Sequence, residues 1–282
     1  MPSSYVRGDR VMQQLYQYSK AIVCHFGKPS LFITFTANPK WVGIEKELLP
    51  NQSTAHSPDL VAREFNLKVC DLLYQIRHKE VCGPGLGWFS TIEYQKQGLP
   101  HLHLVVFLRP DNQFLTGDNI DGLISGELAA AANVVGQEHG GIIETTMVHT
   151  HCLARNGSAL CIQEQDPFSV LTCRKGYPRP FQAESIINED GSPRYRGRDR
   201  GQSYILSVKR CGEDIRAIID NCRVVPYSLY LSLPYKAHIN VEVCVSVKAV
   251  KYIHKYIYQG GARATVMLDS EQDEIKQYLH GR

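Results

Sequence analysis

A chain of 282 residues with 43% hydrophobic content can bury one large core or two small ones, and a formal net charge of +3 separates it from proteins that hold nucleic acid by bulk charge alone. Any nucleic-acid contact should therefore be a local basic patch. Nine cysteines, an odd number in a chain too large to need staples, point to a reducing compartment. No apolar run approaches the length of a membrane span, no secretory leader is expected, and the polar Met1-Pro2-Ser3-Ser4 reads as the start of a domain.

Apolar residues Val11, Leu15, Tyr18, Ile22 and Val23 recur at helical spacing, so residues 9–25 are expected to form a helix that Gly27 and Pro29 stop. Residues 31–36, Leu-Phe-Ile-Thr-Phe-Thr, are aromatic and β-branched and predict a strand closed by Asn38-Pro39. Residues 58–79 predict a long helix, with Ser57 as its cap and Pro58 at its first position. After Gly83-Pro84-Gly85, residues 88–95 and 101–108 predict two strands joined tightly through 96–100, which makes an antiparallel hairpin. A helix is expected over 118–132. Residues 140–210, rich in Gly, Pro, Arg and Cys, read as an irregular insertion with short strands. Strand character returns at 224–233 and 239–245, and a helix over 245–258 is ended by Gly260-Gly261. The expected architecture is α+β: one domain over 1–282 with a central, mainly antiparallel sheet flanked by helices, the 140–210 insertion lying within it.

Side chains alternate faces along a strand, so His101 and His103 should point the same way, opposite to Leu102 and Leu104. Two imidazoles on a rigid strand supply most of a catalytic metal site. Glu93, with Gln95 as a weaker candidate, can add an oxygen ligand from the preceding strand, because opposed residues have Cβ atoms roughly 5 Å apart. Mixed nitrogen and oxygen donors suit Mg²⁺ or Mn²⁺ engaged with a phosphate and leave zinc open.

Near the C-terminus, Tyr252 and Tyr256 are four residues apart and share one face of the expected helix, among Lys248, Lys251 and Lys255. An unperturbed tyrosine titrates near about 10, so its attack on a phosphate needs help from a metal and from nearby lysines. Tyr258 falls off that face and reads as packing. Taken alone, the same pattern describes aromatic residues packed on a sheet.

Within the insertion, His149 and Cys152 have metal-ligand spacing, and Cys161 and Cys173 could complete a tetrahedral zinc site; His151 is the alternative histidine, and buried thiols beside a surface histidine are the competing reading. The remaining cysteines are read as core. Between Arg174 and Arg210 the basic residues Arg174, Lys175, Arg179, Arg194, Arg196, Arg198, Arg200, Lys209 and Arg210 outnumber Glu184, Glu189, Asp190 and Asp199, with Tyr177, Phe181 and Tyr195 interleaved. Cations for phosphates and aromatics for bases suit a single-strand groove, and a solvated loop has the same composition.

Several ordered segments together resemble the HUH endonuclease domain of Helitron rolling-circle transposases, over nearly the whole chain. They are Phe26-Gly-Lys-Pro29 with Leu31 to Trp41, Thr91-Ile-Glu-Tyr-Gln-Lys-Gln-Gly-Leu-Pro-His-Leu-His103, Lys175-Gly-Tyr-Pro-Arg-Pro-Phe181, Val224-Val-Pro-Tyr227, His238-Ile-Asn-Val-Glu242 and Lys251-Tyr-Ile-His-Lys-Tyr256. The resemblance implies the HUH fold, with the histidine strand central and the tyrosine helix beside it. It also implies a metal-dependent tyrosine endonuclease and strand transferase that nicks single-stranded DNA at transposon ends and targets, keeping the 5′ phosphate on tyrosine. By motif, His101 and His103 become ligands of Mg²⁺ or Mn²⁺ with Glu93 as the third, and Tyr252 and Tyr256, assisted by Lys255, the nucleophile candidates.

The family usually carries a lysine three residues after the second tyrosine, where this chain has Gln259, so Tyr252 is favoured for the first cut. Nuclear residence and fusion to a helicase domain follow from the same resemblance. The chain itself shows no GxxxxGK[ST] loop and is expected to nick and rejoin without unwinding. Two other functions compete: a non-catalytic single-stranded DNA-binding module derived from a transposase, and a metallohydrolase that uses water.

Overall fold

The computed structural model describes residues 17, 21, 23–95, 98–114, 116–129, 134–150, 162–163, 172–173, 175–189, 191–210, 213–244 and 265–268, with the backbone alone at 134–139, 162–163, 172, 208–210, 213–215 and 265–268. Contacts group these residues into two compact units: Met1–Phe114 with Glu189–Ser192 and Val241–Arg282, and Leu115–Asn188 with Pro193–Asn240.

In the first unit, the aromatic and β-branched run at the start of the chain forms strand β1 (Leu31–Thr36), as its composition predicts. The expected hairpin is β2 (Gly85–Tyr94) and β3 (Pro100–Leu108). Its connection closes where the Gln95 N–H donates to Leu99 O at 2.9 Å and the Gly98 N–H to Gln95 O at 2.8 Å. With φ at +79°, Gly98 occupies the left-handed region that a side chain would resist. The central sheet is antiparallel at β1–β3, at β2–β3 and between β2 and a short strand near the C-terminus, β11 (Thr265–Leu268), and β3 lies at its middle.

The predicted long helix spans Pro58–His78. Ser57 holds the cap position but makes no capping bond, because its hydroxyl accepts instead from Gln52 Nε2 at 2.6 Å. The helix buries Val61, Phe65, Val69, Leu72 and Ile76, a stripe at three- and four-residue spacing. Phe65 meets Phe35 with ring centres 5.1 Å apart and Trp41 at 6.4 Å, which seats the helix on one sheet face. On the other face Phe32, Phe89, Val105 and Phe107 form a cluster against which Val23 and Phe26 pack. Of the helix expected at 9–25, residues 17, 21 and 23–25 are described, and they are helical.

The second unit departs further from expectation. Of the helix predicted over 118–132 the described residues form Gly117–Leu123 alone, and 130–132 lie outside the described residues. The chain turns extended at Ile124 so that Ser125 can bridge to Tyr227, and Gly122 and Gly126 weaken any continuation. A helix at Val134–Thr146 reaches into the stretch read as irregular; Gly136, Gly140 and Gly141 hide it from propensity. Val224–Leu233 is not a strand. Val224 and Tyr227 make isolated bridges, and a helix runs over Leu229–Tyr235, burying Leu231, Ser232 and Tyr235. The β-branched and aromatic run is buried here by packing on Leu128, Ile143 and Met147 rather than in a sheet.

The insertion does carry short strands: β4 (Ile162–Gln163) with β5 (Thr172–Cys173), and β6 (Ile186–Ile187) with β7 (Pro193–Arg194). A longer hairpin, β8 (Tyr204–Arg210) and β9 (Glu213–Ile219), follows. The last predicted strand is β10 (Ile239–Val243), which lies beside β1 at one edge of the central sheet. The opposite edge is β11 (Thr265–Leu268), which no sequence pattern announced. The helix expected over 245–258 lies outside the described residues. Among the described residues no helix is long and apolar enough to cross a membrane.

The buried stripe of Pro58–His78 predicts unequal costs along one helix. Phe65→Ala should destabilise the chain by about 3–5 kcal/mol. Leu67→Ala, at a side chain 66% exposed, should stay within about 0.5 kcal/mol. Urea unfolding of the two variants measures the difference, and equal losses would place the helix wrongly.

Candidate functional site

Cross-strand register builds the site. Glu93 pairs with His101 and Thr91 with His103 across β2–β3, while Thr36 pairs with His101 and Thr34 with His103 across β1–β3. Paired residues share a face, so these six side chains stand together on one side of three strands. Farther along the same face the pairs are Phe89–Val105–Phe32, which belong to the apolar cluster. The face is therefore apolar at one end and polar at the other. His103, Thr91 and Thr34 are buried at the polar end, whereas Glu93 keeps a third of its side chain exposed.

The three proposed ligands meet in pairs. Glu93 Oε2 and His103 Nε2 lie 3.3 Å apart. The His101 and His103 rings stand edge to face with centres 4.5 Å apart. His101 Nδ1 is hydrogen-bonded with Thr36 Oγ1 at 2.7 Å, and the His103 ring stacks on Phe32 at 5.9 Å. Gln95, the weaker ligand candidate, sits past the end of β2, exposed, with its main chain closing the turn. The contribution of Thr36 was missed in the sequence, although its alternation with Thr34 in Ile33-Thr34-Phe35-Thr36 already marks one polar face.

Among the described residues no group of three or more His, Cys, Asp and Glu side chains is drawn together as a formed metal cage. The donor set nevertheless fits a divalent ion. Two ligand atoms each about 2.1 Å from a metal and about 90–110° apart are themselves about 3.0–3.4 Å apart. The Glu93–His103 separation of 3.3 Å falls in that range. Thr36 engages Nδ1 of His101 and so leaves Nε2 as the atom that would be available to a metal, the kind of outer partner that fixes metal-binding imidazoles. Tyr252, Tyr256 and Lys255 lie outside the described residues, as do Lys248, Lys251 and Gln259.

The basic segment in the second unit is used differently from expectation. Arg196, Arg198 and Arg200 alternate along an extended stretch and gather on Glu127, which is 6% exposed. Arg198 binds it through two nitrogens, at 2.7 and 2.8 Å, while Arg196 and Arg200 approach to 3.9 and 3.5 Å. Arg196 also pairs with Asp121 at 3.2 Å. Main-chain bonds tie the same carboxylate's neighbourhood together: the Tyr227 hydroxyl donates to Glu127 O at 2.8 Å and the Leu128 N–H to Asn221 Oδ1 at 2.7 Å. Arg198 is committed to this carboxylate, with Arg196 and Arg200 at the edge of the knot and Arg200 still exposed. Tyr177 and Tyr195 are buried rather than presented to bases, while Phe181 is exposed. Lys175 and Arg194 are exposed. The cysteines read as core divide as well, because Cys82 is buried and Cys24 and Cys70 are exposed.

With this geometry in hand, comparison with known proteins places residues 1–106 under the family model described as the Helitron helicase-like domain at the N-terminus. That segment contains Glu93, His101 and His103 together with all of β1 and β2. No curated protein matches the chain.

Burial would raise the Glu127 carboxyl, but the hydrogen bonds and charge of Arg198, with Arg200, hold it down from 4.5 to about 2. A carboxyl depressed on folding stabilises the folded state above its unfolded value, and that stability is lost as pH falls from about 4.5 toward about 2. Glu127→Gln should cost about 2–3 kcal/mol, below the range for a fully buried pair because Arg198 remains partly exposed. Urea unfolding at neutral and acid pH should show the gap between the two proteins narrowing as pH falls. A gap independent of pH would contradict the assignment.

Proposed function

Given an N-terminal segment matched to Helitron proteins, we propose that this chain is a Rep-like endonuclease domain of the HUH class. In this reading it nicks single-stranded DNA and transfers the strand through a 5′-phosphotyrosine, as part of rolling-circle transposition. The observation that carries the reading is the polar end of the β1–β2–β3 face, where Glu93, His101 and His103 meet inside the matched segment. A central strand carrying the two histidines is what the HUH fold calls for.

Glu93, His101 and His103 would hold Mg²⁺ or Mn²⁺, which when bound polarises the scissile phosphate. The chain's own residues do the rest. Thr36 holds the His101 ring in one orientation, and the apolar cluster at Phe32 and Phe89 walls one end of the site. Tyr252 or Tyr256 supplies the attacking oxygen, losing its phenolic proton as its oxygen bonds to phosphorus. The bond from phosphorus to the 3′ oxygen breaks, and that oxygen takes up a proton to leave a 3′ hydroxyl. Lys251 and Lys255, each directly before a tyrosine, balance phosphate charge. The linkage to tyrosine conserves the phosphodiester, so rejoining needs no external energy source.

On the helix that the sequence predicts over 245–258, a spacing of four residues would set Tyr252 and Tyr256 roughly 6 Å apart in rise, so both could not stand in line behind one phosphorus at once. Tyr252 should lead the first cut, because the position after Tyr256 that usually carries a lysine is Gln259. Nuclear residence and a helicase domain on the full-length protein belong to the same proposal.

Labelled single-stranded DNA incubated with the chain and Mn²⁺, then denatured, tests the proposal. A covalent protein–DNA band is expected. It should fall at least about a hundredfold when His101 and His103 are both changed to Ala, with single-strand binding largely kept. Tyr252→Phe should lower it more than Tyr256→Phe. Cleavage without an adduct would make the chain a water-using hydrolase, and binding without cleavage would make it a non-catalytic module.

A further inference from the structure

The second unit holds a buried histidine that the nuclease reading does not use. His149 is 6% exposed, and its N–H donates to Arg223 O at 2.9 Å, beside the bridge of Val148 with Val224. Its ring stacks on Tyr177 with centres 4.4 Å apart and planes 18° from parallel, so the imidazole has a fixed plane. In that plane Nε2 lies 3.4 Å from Cys173 Sγ. A nitrogen and a thiolate bound to one tetrahedral zinc, at about 2.0 and 2.3 Å, are about 3.5 Å apart. The observed separation matches.

Two further thiols are tethered to this pair by the chain. Cys152 follows His149 by three residues, which holds its Cα within about 11 Å of that of His149. Cys161 is bonded to Ile162, and Ile162 is the β-partner of Cys173. Cys152 and Cys161 themselves lie outside the described residues. The strands that adjoin these cysteines argue for a staple: β4 and β5 are two residues each, far too short to hold as an isolated ribbon. An imidazole hydrogen-bonded to a thiol would explain the His149–Cys173 contact alone. It would not explain why two more cysteines are tethered beside it by the chain.

We propose that His149, Cys152, Cys161 and Cys173 hold one structural zinc ion, separate from the metal site on the central sheet. The donors are one imidazole and three thiolates, a set that closes all four positions and leaves none for a reactant. Its role is to fold the insertion.

Elemental analysis of the chain, expressed with zinc and purified without chelators, should find about one zinc per chain. Replacing that zinc with Co²⁺ identifies the site by its ligands. Bound to thiolates, Co²⁺ gives a sulfur-to-cobalt charge-transfer absorption, which the Glu93–His101–His103 site cannot produce. The band should be present in the parent chain and in Cys82→Ser, and lost in both Cys161→Ser and Cys173→Ser together with the bound zinc. If either serine variant fails to fold, the cobalt spectrum of the parent chain still decides. A folded parent chain with no bound zinc and no thiolate band overturns the proposal, as does full retention of zinc in the folded Cys173→Ser variant. Neither result bears on tyrosine adduct formation, so this proposal can fail while the nuclease reading stands.

Discussion

The register between β2 and β3 is the constraint on which the site depends. Glu93 faces His101 only because the pairing places Tyr94 opposite Pro100 and Ile92 opposite Leu102. A slip of one residue would turn Glu93 to the helix-covered face, among Leu102 and Leu104. The slip is opposed from both sides of the sheet. Leu102, Leu104 and Val106 are buried on one face, and Val105 and Phe107 on the other, so any shift would bury polar groups and expose apolar ones. The turn at Gln95–Leu99 fixes the same register locally, since its two hydrogen bonds close only with this loop length. β1 then adds Thr36 opposite His101, so the third strand orients the ring that the second positions.

The second unit solves a different problem. Its regular elements are short, and much of its order comes from polar contacts around Glu127. One buried carboxylate gathers three arginines from an extended segment, and the neighbouring main chain is tied down by Tyr227 and Asn221. A basic stretch that resembles a nucleic-acid groove in composition is thus partly spent on folding. Among the described residues of that stretch, Lys175, Arg194 and Arg200 are exposed along with Phe181, whereas Arg198 is held on Glu127.

Much of the first unit was legible because its signals are strong and local. The alternation in Leu31–Thr36 and Pro100–Leu108, the tight connection between β2 and β3, and the helical stripe of Pro58–His78 each act within a few residues. The juxtaposition of Glu93 with the two histidines followed from strand alternation plus hairpin length. Thr36 was less visible, because β1 pairs with β3 across more than sixty intervening residues. In the second unit tertiary contacts overruled local preference. Val224 to Leu233 has strand composition but lies against Leu128, Ile143 and Met147, and the glycines of Val134–Thr146 concealed a helix held by its neighbours. The role of Arg198 could not be read without Glu127, seventy-one residues away.

Metal binding at the central sheet is the claim on which the proposed chemistry rests, and it can be measured without DNA. Titration of the chain with Mn²⁺, followed by loss of the free-ion paramagnetic resonance signal, should reveal one tight site. Glu93→Ala and His103→Ala should each weaken it by about tenfold to a hundredfold or more, and Thr36→Val should weaken it less. Equal Mn²⁺ affinity in the parent chain, Glu93→Ala and His103→Ala would contradict the account.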